Sequence, residues 1–365
     1  MAWRLVGGDN ARLCWGVWVM RLEHGGRLNE AVERWSIPRA QWLDLSTGIN
    51  PVGWPVPLVP AEIWQRLPEA DDGLEDIIRE WAGAAALAAC VPVPGSQAAI
   101  MALPGLRSPC RVGVPVPGYR EHGQCWRNAG HEVVPVSHEQ IRCGDSGYDD
   151  RWLDRLDVLV WINPNNPTGE IVPPATLMRW HERLRRRGGW LVVDEAFMDA
   201  TPAFSVCAHS GRKGLFVFRS LGKFFGLAGA RAGAVFANGA EADRLKAALG
   251  PWPLSGPARH VMAQALTDTA WQLNTCMSLQ HSAGRLRETL QAAGLTLIGG
   301  SALFQTVRVD NPQALADHLA ARAVLVRVFE QPGMLRFGLC ADECQWRRLG
   351  IALAGKSSDW SLTRH

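Results

Sequence analysis

A chain of 365 residues, 47% of them hydrophobic, can bury a full core and has room for one large domain and a smaller one. Its 38 lysines and arginines stand against 35 aspartates and glutamates, and a net charge of +3 argues against a nucleic-acid or membrane partner. Nine cysteines, scattered and without a Cys-x-x-Cys pair, read as reduced thiols of a cytoplasmic protein; Cys340 and Cys344 have no nearby histidines to make a zinc site.

The chain opens with an apolar run at 13–20, too short to span a bilayer and followed by no small-residue cleavage signal. Residues 1–23 are therefore expected to form an extension outside the core, ahead of an arm over 24–60 that ends in a proline-rich connection at 51–60. From 94 to about 237, short apolar runs alternate with amphipathic stretches, the pattern of an α/β layer structure with a mainly parallel sheet. Strands are predicted at 111–114, 132–136, 158–162, 191–194, 215–219 and 233–237, with helices at 96–103, 174–187 and 241–249. The arginine cluster at 183–187 suits a solvated helix C-terminus, where cations meet the negative end of the dipole. A long helical pattern at 256–293 reads as a connector. Strands at 295–298, 302–309, 324–328 and 334–338, with helices at 312–321 and 342–353, then make an α+β C-terminal domain. The expected division is a large domain over 61–255, a connecting segment over 256–294 and a small domain over 295–365.

Three segments carry chemistry. Residues 220–231 read Ser-Leu-Gly-Lys-Phe-Phe-Gly-Leu-Ala-Gly-Ala-Arg. A lysine among small residues at the end of an apolar strand can be desolvated, which frees the Lys223 amine for Schiff-base chemistry. Ser220 and Arg231 flank it with a hydroxyl and a fixed cation, a pairing that suits a phosphate. Upstream, residues 163–169 read Asn-Pro-Asn-Asn-Pro-Thr-Gly, a turn-rich loop after a strand, and Asp194 and Glu195 end another strand with carboxylates.

In this order and spacing, the three segments resemble the fold-type I pyridoxal-phosphate (PLP) enzymes of the class I/II aminotransferase superfamily, over about residues 24–353. His24-Gly25-Gly26, followed by the stretch Leu45 to Pro51, looks like the opening of the threonine-phosphate decarboxylases of cobalamin biosynthesis. The resemblance implies a mainly parallel seven-stranded sheet, PLP as cofactor and a homodimer. It also implies decarboxylation of a small phosphorylated amino acid, O-phospho-L-threonine, to (R)-1-aminopropan-2-yl phosphate. A histidinol-phosphate aminotransferase is the alternative, and a PLP-binding transcription regulator is disfavoured because too few residues precede His24 for a helix-turn-helix.

Carried onto this chain, the family pattern gives Lys223 the imine, Asp194 the pyridine nitrogen and Asn166 the phenolic oxygen of the cofactor. Ser96 and Gln97, after Gly95, would join Ser220 and Arg231 around the phosphate. In residues 117–122, His122 takes the place that stacks on the cofactor ring, with Tyr119 as a competing choice. Arg336 would hold the substrate carboxylate and Arg327 the substrate phosphate, with His24, Gly25 and Gly48 lining the same cleft. Phe197 and Leu67 stand where many aminotransferases carry tyrosine; both depart from the transaminase pattern, and the phenylalanine suits the decarboxylase branch.

Overall fold

The computed structural model describes residues 24–137 and 150–354, preceded by two short antiparallel strands, β1 (Leu13–Cys14) and β2 (Val17–Trp18). The remainder of the expected 1–23 extension, and the last residues of the small domain, lie outside the described residues. Among the described residues no helix is long and apolar enough to cross a membrane.

After the two-residue strand β3 (Leu43–Asp44) come seven strands that build the large sheet. They are β4 (Ala89–Val93), β5 (Arg111–Pro115), β6 (Glu132–Val136), β7 (Val158–Ile162), β8 (Trp190–Asp194), β9 (Leu215–Ser220) and β10 (Gly233–Ala237). Their spatial order is β4-β10-β9-β8-β7-β5-β6. Every pairing from β9 to β6 is parallel, whereas β10 runs antiparallel to both its neighbours. The central strands β7, β8, β9 and β10 are buried along their whole length, which is why they read as unbroken apolar runs rather than alternating ones. Each fully buried Val, Leu or Phe there contributes about 1.5–3 kcal/mol. The seventh strand, β4, is absent from the six predicted ones. Pro92 interrupts its pattern, and the fold tolerates that proline because β4 is an edge strand.

The small domain carries an antiparallel sheet of β11 (Thr296–Ser301), β12 (Phe304–Arg308), β15 (Met334–Gly338) and β14 (Arg327–Phe329), in that order. The single strand predicted at 324–328 is two strands in the structure. Its first part, β13 (Val324–Leu325), leaves this sheet and pairs in parallel with β3 of the arm. The 24–60 arm is thus stitched into the small domain, with Leu45 N donating to Leu325 O and Gly338 N to Leu45 O at 2.8 and 2.7 Å. The long helical connector is also two helices, Gly256–Thr267 and Thr269–Ala292. Asp268 restarts the second by accepting from Trp271 N, and its other oxygen accepts from Trp54 Nε1 of the arm, both at 3.0 Å.

Under the ends of β8 and β9 lies a buried ionic cluster. Arg219 donates to Asp199, comes within 3.6 Å of Glu195 and stacks over the Trp81 ring at 4.3 Å. Glu195 also accepts from Ser205 Oγ at 2.6 Å and Val206 N at 2.7 Å. Burial pushes both carboxyls above the usual carboxylate range, against the pull of Arg219. Since Glu195 follows Asp194 and Arg219 precedes Ser220, the cluster pins the two strand ends that deliver those residues. Arg219→Met is expected to destabilise the protein by about 3–5 kcal/mol, because two buried carboxyls lose their cation. A lowered urea midpoint would show it; an unchanged midpoint would refute this account of the cluster.

Candidate active site

Sheet register lines up the residues that matter. Ile162 pairs with Asp194, Asp194 with Phe218, Ser220 with Gly233 and Gly233 with Val93. The carboxyl ends of the parallel strands therefore share one edge, where open α/β sheets place their ligands. Two adjoining cavities open there, of about 140 and 200 Å³, and both are lined by Tyr119, Asn166 and Lys223.

Burial first, and then the Arg336 guanidinium, push the Lys223 amine down to about 8, while Asp194 acts in the opposite sense. Its Nζ sits 5.5 Å from the centre of the Phe197 ring. The arm holds the main chain of the lysine loop. Asn50 N donates to Lys223 O, Asn50 Nδ2 to Phe224 O and Trp54 N to Phe225 O, each at 2.9 Å. The sequence reading does not single out Asn50, since its partner lies 174 positions downstream and no local motif marks the contact.

Asp194 is 4% exposed; its carboxylate accepts from Ala196 N at 3.0 Å and from His122 Nε2 at 2.8 Å. His122, expected to stack on the cofactor ring, is thus engaged with Asp194. It lies in the first turn of α5 (Arg120–Asn128), buried, with its ring 6.3 Å from that of Phe218, and it lines neither cavity. Tyr119, one residue ahead of the helix, faces the cavities instead. The start of α5 separates the two side chains, and that start is not legible in the local sequence.

Ser96, Gln97, Ser220 and Arg231 line the smaller cavity with Asp194. Gly95 adopts φ +74°, and a Cβ there would fall 2.6 Å from Arg231 Nη2, so only glycine lets the guanidinium lie against this turn. The larger cavity is lined by His24, Gly25, Gly48, Arg327 and Arg336. Gly48 packs so closely that a Cβ would meet Phe197 Cε1 at 2.9 Å. Arg336 donates to Asn166 Oδ1 at 2.5 Å and to Ser46 O at 2.8 Å. Arg327 is its register partner on β14. Burial, and after it the Arg327 charge, push Arg336 below the usual arginine range, yet a guanidinium remains charged. Two like charges opposite each other on a sheet are unfavourable alone, and an anion between them offsets the repulsion.

These groups fit PLP: a desolvated amine, a buried carboxylate, and a hydroxyl and guanidinium around a turn that a Cβ would fill. The family model for aminotransferase class I and II matches residues 66–352. The chain belongs to this family. A curated relative, the threonine-phosphate decarboxylase of Pseudomonas aeruginosa, is 50% identical over 92% of this chain and 98% of its own length. The threonine-phosphate decarboxylase of a Sinorhizobium species is 39% identical over 91% of this chain and 97% of its own. Among solved structures, the histidinol-phosphate aminotransferase from Clostridium acetobutylicum superposes with a TM-score of 0.74, covering 85% of this chain and 98% of its own at 22% identity. That last likeness concerns the fold.

Capture of PLP by the cofactor-free protein needs a neutral Lys223 amine, so its rate should rise with pH and reach half its maximum near pH 8. Stopped-flow absorbance across pH 6–11 checks this, and a midpoint near the ordinary lysine value of 10.5 would contradict the desolvation argument.

Proposed function

We propose that the chain is a PLP-dependent carboxy-lyase that converts O-phospho-L-threonine to (R)-1-aminopropan-2-yl phosphate and CO2, a step of cobalamin biosynthesis. The observation that carries this reading is the pair Arg327 and Arg336, face to face on one wall of a cavity that adjoins the lysine. A substrate with a carboxylate at one end and a phosphate at the other can satisfy both cations. The two curated relatives, each matched over nearly its full length, bear the same name and support the choice.

In this reading Lys223, Asp194, Asn166, Ser96, Gln97, Ser220 and Arg231 hold the cofactor. Bound there, PLP supplies an electron sink for the pair released at the substrate Cα when a bond perpendicular to its ring breaks. Asp194, fixed by His122 and Ala196, pairs with the pyridine nitrogen. Arg336, steadied by Asn166 and the Ser46 carbonyl, grips the carboxylate. Arg327 and His24 take the phosphate. Two anchors at opposite ends of a short molecule fix its rotation about Cα, and that rotation selects loss of CO2 over loss of the α-proton. With its amine near 8, Lys223 carries a proton at neutral pH and can deliver it to Cα where the carboxylate has left. Phe197 brings no hydroxyl beside Lys223 and keeps this part of the cavity apolar.

The protein is further read as a cytoplasmic homodimer. Leu58, Trp64 and Leu67 expose apolar surface along one stretch of the chain, which supports self-association. Cys90 and Cys207 are buried as free thiols, which suits a reducing compartment.

Product analysis tests the reading. With O-phospho-L-threonine, CO2 and an amine phosphate should appear in equal amounts, and Arg336→Ala should lower kcat/KM by about 100-fold or more, the loss of a charge-assisted pair. Glutamate-dependent amino transfer to imidazole-acetol phosphate without CO2 would replace it with a histidinol-phosphate aminotransferase.

A further inference from the structure

Between the two cavities stands a carboxylate that lines neither. Glu121 lies in the first turn of α5, and its side chain is 20% exposed. Its Oε1 contacts His24 Nε2 at 2.7 Å, and its Oε2 accepts from Gln97 Nε2 at 3.3 Å. Gln97 Oε1 in turn accepts from the Tyr119 hydroxyl at 3.0 Å. His24 lines the larger cavity, Gln97 the smaller and Tyr119 both.

A carboxylate can only accept, so His24 must carry a proton on Nε2 and Gln97 must turn its amide nitrogen toward Glu121. Those two choices leave the Gln97 carbonyl for Tyr119 and leave His24 Nδ1 facing a ligand, to which it donates when it carries the second ring proton. They also commit both carboxylate oxygens to donors. His24 itself is 43% exposed, too open for packing to hold its ring.

We propose that Glu121 is a positioning residue for substrate binding: it holds His24 against the phosphate end of the substrate and links it through Gln97 to Tyr119 on the cofactor side. The proposal rests on reading the larger cavity as the substrate site. Because Glu121 acts through His24, removing it releases an exposed side chain that each binding event must order again, and the loss falls on binding rather than on turnover.

The test compares Glu121→Ala and Glu121→Gln, each alone and combined with His24→Ala, all loaded with PLP so that the smaller cavity is filled. Two quantities are read: KM and kcat on O-phospho-L-threonine, and the affinity for inorganic phosphate by titration calorimetry. Glu121→Ala should raise KM about tenfold with kcat within about threefold, weaken phosphate by a similar factor, and add less than about twofold to His24→Ala. Glu121→Gln keeps one accepting oxygen and should fall between wild type and Glu121→Ala, which also covers the case in which the alanine variant folds poorly. A loss confined to kcat, or the same tenfold loss on top of His24→Ala, would overturn the proposal. If the wild-type protein releases no CO2 from O-phospho-L-threonine, the substrate reading fails instead, and the phosphate titration still decides whether Glu121 and His24 act as a pair.

Discussion

One buried cation underlies the geometry of the site. Arg219 sits among Asp199, Glu195 and the Trp81 ring, where water does not reach, and it is flanked in sequence by the end of its own strand. Removing charges from water is costly, and the cluster persists because opposite charges meet inside it. The consequence is positional. β8 and β9 cannot slide past one another without parting Arg219 from its carboxylates, so Asp194 and Ser220 emerge at a fixed offset.

Above that anchor two electrostatic effects meet at Lys223. Desolvation lowers the Lys223 amine, and the nearby Arg336 adds to the effect. The same Arg336 faces Arg327 across the strand pair, so two guanidiniums line one cavity with the lysine. In the proposed reading, substrate recognition and activation of the amine share one residue.

Most of the large sheet is legible in the sequence, because strands buried on both faces announce themselves as apolar runs between turns. The lysine segment, the Asn-Pro-Thr-Gly loop and Asp194 are legible for the same reason: each follows such a run directly. What escapes is what depends on distant partners. β4 hides behind Pro92, whose acceptability rests on its being at a sheet edge. The division of 324–328 depends on β3, far upstream. Which of Tyr119 and His122 meets the cavity turns on a helix start, and Asn50 and Glu121 matter only through contacts that span 174 and 97 positions.

The arm has a bearing on how the protein matures. Residues 43–54 leave the ribosome early, yet their partners are the carbonyls of 223–225 and the strands at 324–338. At about 5–20 residues per second, tens of seconds of synthesis separate the two sets. The lysine loop finds Asn50 and Trp54 already made when it emerges, but the arm that carries them gains its pairing with 323–338 only when the nascent chain is nearly finished. Competence for the vitamin therefore arrives as a late event in the birth of this polypeptide.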